Sequence, residues 1–222
     1  MAQKRTASQV RADIVNAAVE LYLTNGFTKT TNKMIVERAD CSPGQFSNFF
    51  RTKENLLLEL VETVMRVQLK MAKSLVGDDM PPVIIFCLKT AVQTMMCEND
   101  CAMWDLYTSA YSHRLTLHHI KHTSYKNAMA LLKNELPDWS EQDFYETEIM
   151  ATALNYGALM EECTPRFTVE HKIRRVLDNI MKLYEIPRPQ RESVLKTVMS
   201  FDLKALADKS YHSLVDAVRV AA

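Results

Sequence analysis

The sequence predicts an all-α protein, with an N-terminal three-helix head at residues 1–52 and a larger helical body at residues 53–222. Three observations lead there. Gly and Pro are scarce, at four and seven of 222 residues, while Ala, Leu, Met, Lys and Glu are plentiful, a composition that favours helices. Apolar residues recur with the helical period in one segment after another, and no segment shows the two-residue alternation of a strand. The interruptions fall at residues that end helices: Asn25-Gly26, Gly77-Asp78-Asp79, Pro81-Pro82, Asn99-Asp100, Pro137-Asp138, Thr164-Pro165 and Pro187-Arg188-Pro189.

Residues 1–7 are polar and basic and read as a mobile arm. From about Ser8, the residues Val10, Ile14, Ala17, Ala18, Leu21 and Tyr22 make one helical face, and Gly26 supplies the stop. Phe27 is placed to pack back on this helix. Thr30 and Thr31 are N-cap candidates for a short helix whose apolar face is Ile35, Val36 and Ala39. Asp40-Cys41-Ser42 interrupts it, and Ser42 is placed to cap a second short helix that Pro43 opens. That helix holds Phe46, Phe49 and Phe50 and leaves Gln45, Ser47 and Asn48 facing out. The head core is then Ile14, Leu21, Phe27, Ile35, Ala39, Phe46 and Phe50. A fourth helix runs from near Thr52 to about Ser74, with Leu56, Leu57, Leu60, Val64, Val67 and Met71 on one side. Further helices are expected at roughly 82–97, 101–113, 115–135, 141–163, 169–185, 190–206 and 209–220.

The net charge is zero but unevenly distributed. Residues 1–53 carry eight Lys or Arg against four Asp or Glu, so a head of +4 sits on a body of −4. A basic head on an acidic body fits a nucleic-acid binder better than the total suggests. Five scattered Cys (41, 87, 97, 101, 163) make no C-x-x-C pair, which implies reduced thiols and a cytoplasmic location. No secretory signal pattern is visible. The longest apolar run, Val83 to Leu88, is too short to span a bilayer, so no membrane partner is expected.

Two short helices joined by a tight turn, the second with a polar outer face, form a helix-turn-helix, in which the second helix enters a DNA major groove. About the first 57 residues also resemble the TetR (tetracycline-repressor-like) family of bacterial transcription regulators. The matching positions are Gly26, Phe27, Thr30, Thr31, Ile35, Ala39, Ser42, Gly44, Phe46, Phe50, Lys53 and Leu56. The chain departs from the family pattern at Val36 (usually Ala), Asp40 (the turn Gly), Cys41 (the turn Val) and Ser47 (commonly a phosphate-contacting Tyr). Asp tolerates the positive φ such a turn requires. The resemblance implies DNA contacts from Thr31, Lys33, Ser42, Pro43, Gln45, Ser47, Asn48, Phe49 and Lys53. Gln45 and Asn48 have the paired donor and acceptor that suit adenine. Lys33, Arg51 and Lys53 supply charge to phosphates, and Lys4, Arg5 and Arg11 could add contacts from the arm.

One such head reads one half-site, so a homodimer on a palindromic, double-stranded operator is expected. The helix at 141–163 offers small residues Ala151, Ala153, Gly157 and Ala158 for close approach, and the next offers Ile173, Val176, Leu177, Ile180 and Tyr184 on one face. The resemblance implies that these two helices pair with their copies in a four-helix bundle. Met and aromatic residues in the middle helices suit an adaptable cavity. The resemblance implies an unknown small-molecule effector there, with Phe86, Met96, Trp104, Tyr107, Tyr125, Met129, Tyr156 and Met160 as lining candidates. The histidines at 113, 118, 119 and 122 lack a further ligand at metal-site spacing, and Cys97-x-x-x-Cys101 has nothing beside it to activate a thiol, so no metal or cofactor is expected. No catalytic motif is visible. The expected function is a ligand-responsive transcription regulator, a repressor; the alternative is a DNA-binding regulator whose body binds a protein partner.

Overall fold

The computed structural model describes residues 5–77 and 79–221. Lys4 and Asp78, part of the expected arm and break, lie outside the described residues. Eleven helices are present among them: α1 (Ala7–Asn25), α2 (Asn32–Arg38), α3 (Pro43–Phe49), α4 (Lys53–Val76), α5 (Pro82–Asn99), α6 (Cys101–Ser112), α7 (Arg114–Leu132), α8 (Glu141–Leu159), α9 (Val169–Leu183), α10 (Arg188–Val198) and α11 (Leu203–Ala221). The described residues contain no strand, only an isolated bridge between Thr164 and Phe167.

Most of these helices start on a side-chain cap. Thr6, Thr31, Ser42, Thr52, Asp100, Ser140 and Thr168 each accept a hydrogen bond from a first-turn N–H. Each such cap stabilises its helix by about 1 kcal/mol. Three expected boundaries are corrected. The end of the expected arm belongs to α1, because Thr6 and Gln9 form a reciprocal capping box there. The helix expected at 141–163 stops at Leu159. The helices expected at 190–206 and 209–220 are instead divided at residues 199–202, where Asp202 Oδ1 accepts the Ala205 N–H at 3.0 Å and opens α11 early.

Two apolar cores organise the chain. The head core holds Val10, Ile14, Ala18, Tyr22, Phe27, Ile35, Ala39, Phe46 and Phe50, and it continues into α4 through Leu56, Leu57, Leu60, Val61 and Met65. Tyr22 is fully buried, whereas the expected Leu21 is half-buried. Ala110 of α6 and Ile120 of α7 complete this cluster, so the head core continues into the body. The body core surrounds α5, which is buried on nearly every side, in keeping with its continuous apolar run. Helices α9 and α10 close one side of α5; α11 lies along α5 and α4 and also reaches α1. No helix among the described residues is long and apolar enough to cross a membrane.

Candidate nucleic-acid interface and interior cavity

The turn between α2 and α3 places Asp40 at φ +47°, as the sequence requires of a residue standing where Gly is usual. Arg5 steadies it. Its guanidinium donates to the Ala39 carbonyl at 3.0 Å and to the Asp40 carbonyl, and pairs with Asp13 at 2.9 Å. The next helix is opened by Pro43 and by a capping box in which Gln45 N–H donates to Ser42 Oγ and Ser42 N–H donates to Gln45 Oε1. Phe46 and Phe50 anchor α3 in the core. Ser42, Pro43, Gly44, Gln45, Ser47, Asn48 and Phe49 face outward, with Phe49 37% exposed, and Thr31 and Lys33 are exposed on α2. The nine residues expected at DNA therefore divide into eight on an open face and one that is turned inward.

Lys53 is the exception. Its ammonium donates to the carbonyls of Phe27 and Thr30 at 2.9 Å each and lies 4.2 Å from the Phe27 ring centre. It clamps a turn of the head rather than presenting charge to a phosphate. Other head cations are similarly engaged. Arg11 pairs with Glu59 and sits over Phe50, and Arg38 pairs with Glu20 at 2.6 Å. Lys29, Lys33 and Arg51 remain exposed. Gln45 uses its carbonyl oxygen at the cap, so in this arrangement only its amide N–H groups are left for a base edge.

The same turn is gripped from the body. Gly26 has φ +81°, and a Cβ there would lie 2.6 Å from Asp105 Oδ2 on α6. That carboxylate accepts the Thr28 N–H at 2.7 Å and the Thr28 hydroxyl at 2.5 Å. His113 packs edge-on to Phe27, with ring centres 5.3 Å apart.

Beside this joint lies a cavity of about 80 Å³, lined by α1, α4, α5, α6, α7 and α11. Its wall is aliphatic apart from Tyr22, Gln68, Gln93, Tyr107 and Tyr111, and carries no charged residue. Gln68 Nε2 donates to the Tyr107 hydroxyl at 2.8 Å; Gln93 Nε2 and Asn155 Nδ2 donate to the Tyr111 hydroxyl at 3.2 and 3.1 Å. Burial pushes both phenols above their ordinary range, so both keep their protons.

Of the eight expected lining residues, only Tyr107 lines this cavity. Met96 lines a smaller adjoining space of about 20 Å³ with Lys89 and Ser210. Phe86 packs edge-on to Tyr184 in the body core, Trp104 Nε1 donates to the Leu159 carbonyl at 2.7 Å, and the Tyr125 hydroxyl donates to Glu141 at 2.8 Å. Tyr156 stacks on the outer side of Tyr111, Met129 packs against the body core, and Met160 is 48% exposed. The Met and aromatic stripes mark faces turned to neighbouring helices, whereas the cavity is walled by aliphatic residues with no distinguishing signal. Gln68 was the legible one, a polar residue inside the apolar stripe of Val64 and Met71.

The expected dimer residues also divide. Ile173, Val176, Leu177, Ile180 and Tyr184 are buried in the body's own core, as is Ala151. Their apolar face on α9 is satisfied within the chain by α5 and α8 and is not a surface. Ala153 and Gly157 are exposed, Ala158 is half-buried, and Met150 (58% exposed) and Met160 extend the exposed stripe along α8. His118 and His122 stack face to face at 4.2 Å, and no group of three or more metal-ligating side chains exists among the described residues.

A capped α2–turn–α3 unit anchored by two phenylalanines defines a helix-turn-helix protein. Residues 14–60 match the family model described as bacterial regulatory proteins, tetR family. The head thus resembles that family over 47 of the chain's 222 residues. Over 48 residues it is 42% identical to the HTH-type transcriptional regulator QacR of Staphylococcus aureus, a match that covers 22% of this chain and 26% of that protein. The chain thus spans about a quarter of the length of the curated relative it matches. Among solved structures, a TetR-family transcriptional regulator of Syntrophomonas wolfei superposes with a TM-score of 0.55 at 17% identity, covering 80% of this chain and 96% of that one. GusR of Salmonella enterica gives 0.55 at 19% identity, covering 79% and 95%. These likenesses extend the shared all-helical fold from the head to most of the body.

Proposed function

We propose that the protein is a ligand-responsive DNA-binding transcription regulator, a repressor, that acts as a homodimer on a palindromic operator. The observation that carries this reading is the open face of α3. Six consecutive positions from Ser42 to Ser47 contribute five exposed residues and one buried anchor, and Asn48 and Phe49 extend the exposed surface. A helix held so firmly and left so open is suited to a major groove. Asn48, free of the cap, is the residue for direct base reading, and Lys29, Lys33 and Arg51 serve the phosphates.

The cavity supports the ligand-responsive part. At about 80 Å³ it is smaller than the roughly 150 Å³ that admits benzene, so a ligand must displace side chains to enter. Those side chains include Val19, Tyr22 and Leu23 of α1 and Leu57 of α4, which also carry the head. A ligand that favours the displaced arrangement changes head position and DNA affinity together. The test is fluorescence anisotropy of the full chain on DNA flanking its own gene. An inverted repeat bound as a dimer, with binding lost in Asn48→Ala and little changed in Leu115→Ala, at an exposed position of α7, is expected. Equal binding of all DNA sequences would overturn operator recognition.

A further inference from the structure

Four polar side chains, Gln68, Gln93, Tyr107 and Tyr111, line the cavity. Tyr107 and Tyr111 stand one helical turn apart on the same face of α6, and both line the cavity. Each hydroxyl oxygen receives amide donors: Gln68 on Tyr107, and Gln93 with Asn155 on Tyr111. Neither phenol has an acceptor for its own hydrogen among the described residues. Turning the Asn155 amide does not cure the shortage. Asn155 Oδ1 is buried without a partner, so Tyr111 could donate to it, but the two amide hydrogens of Asn155 would then lack an acceptor in its place. With the amides in the orientation seen here, both phenol hydrogens are left for an acceptor supplied by a ligand. The rest of the wall is aliphatic, with Leu57, Leu60, Val61, Val64 and Leu106 prominent, and no cation or carboxylate reaches it.

We propose that the effector is an uncharged, mainly apolar molecule with a carbonyl oxygen (a ketone, ester or amide) that accepts from Tyr107 and Tyr111. This assignment rests on the cavity being the effector site. An acceptor oxygen takes up the surplus hydrogens, and the hydrocarbon part fills the aliphatic wall. A cationic ligand would find no counter-charge on this wall, and an acid would enter with no cation to meet it. A pure hydrocarbon would fit the wall but leave both phenols as they are. A site built around hydrogen-bond donors discriminates against analogues that lack the matching acceptor.

The experiment uses the full-length protein and three probes of matched chain length: 2-heptanone, heptane and heptylammonium, each titrated by calorimetry. The ketone is expected to bind about tenfold or more tighter than the alkane, the difference that one good hydrogen bond supplies, and the ammonium not at all. In Tyr107→Phe and Tyr111→Phe, measured separately so that one folded variant suffices, the ketone should lose that advantage while alkane binding persists. Equal affinity for ketone and alkane, or preference for the ammonium, would overturn the carbonyl assignment while leaving the cavity as a binding site. Absence of binding by all three, together with an unchanged response in the cavity-filling variant Val61→Phe, would overturn both the assignment and the cavity's role.

Discussion

Lys53 shows how a charged side chain can serve a function indirectly. Its ammonium holds two main-chain carbonyls at 2.9 Å and lies against the Phe27 ring, so its loss exposes buried acceptors in the head. Lys53→Ala is expected to destabilise the protein by about 1–2 kcal/mol, lowering the midpoint of thermal unfolding by several degrees. Lys33, exposed on α2, should behave oppositely. Lys33→Ala is expected to leave the midpoint unchanged while reducing the slope of log affinity for DNA against log salt by about one per head. If both variants changed only the salt slope, the clamp would be refuted. The sequence marked both residues as cations near DNA; it could not distinguish them, because the carbonyls that capture Lys53 come from a turn some 25 residues earlier. Gln45 was legible in the same partial way. Its identity suggests base reading and a cap alike, and the cap occupies its carbonyl oxygen.

Among elements, the joint between α9 and α10 depends on one carboxylate. Asp178 receives Arg191 Nε at 2.9 Å and Lys182 Nζ at 2.7 Å. Burial alone would raise its pKa, but the two donors and their charges outweigh it and hold the carboxyl below its ordinary range. The folded state thus favours the ionised form. The resulting stability is fully present above the unfolded value of about 3.9 and is lost as pH falls through the lower folded value. Asp178→Asn should cost about 1–2 kcal/mol near pH 7 and progressively less as pH falls below the unfolded value of about 3.9, as followed by unfolding in denaturant at several pH values. A penalty that does not vary with pH would argue against the ion pairs. Helices announced by Thr, Ser or Pro caps were readable in advance, as with Ser42-Pro43 and Thr52. The break at 199–202 was not, since it lacks Gly and Pro and depends on Asp202 capping a helix whose neighbours are equally helical in composition. The α9 stripe was correctly read as apolar, but periodicity cannot say whether such a face meets its own chain or a copy.

At the scale of the whole molecule, the exposed apolar stripe on α8 is the surface that the proposed dimer would use. Met150, Ala153, Gly157 and Met160 are exposed at near-helical spacing, and Gly157 has no heavy atom within 4 Å of an added Cβ. A charged side chain there would be accommodated in the monomer but not between two closely packed helices. Gly157→Glu is therefore expected to yield a folded monomer by analytical ultracentrifugation, with operator affinity reduced at least a hundredfold. A dimer that persists would move the interface elsewhere.

The grip of Asp105 on Thr28 has a mechanical corollary. With its C-terminal end pinned to α6 beside Gly26, α1 is a lever whose fulcrum lies at that turn. Val19 stands about 10 Å from the fulcrum and Ala7 about 28 Å, at 1.5 Å per residue. An outward push at Val19 is thus magnified roughly threefold at the far end of α1, by the ratio of those two arms. That far end is where Arg5 ties onto the Ala39-Asp40 corner, so on the proposed reading a sub-ångström adjustment of the cavity wall would reach the turn before α3 as a larger stroke.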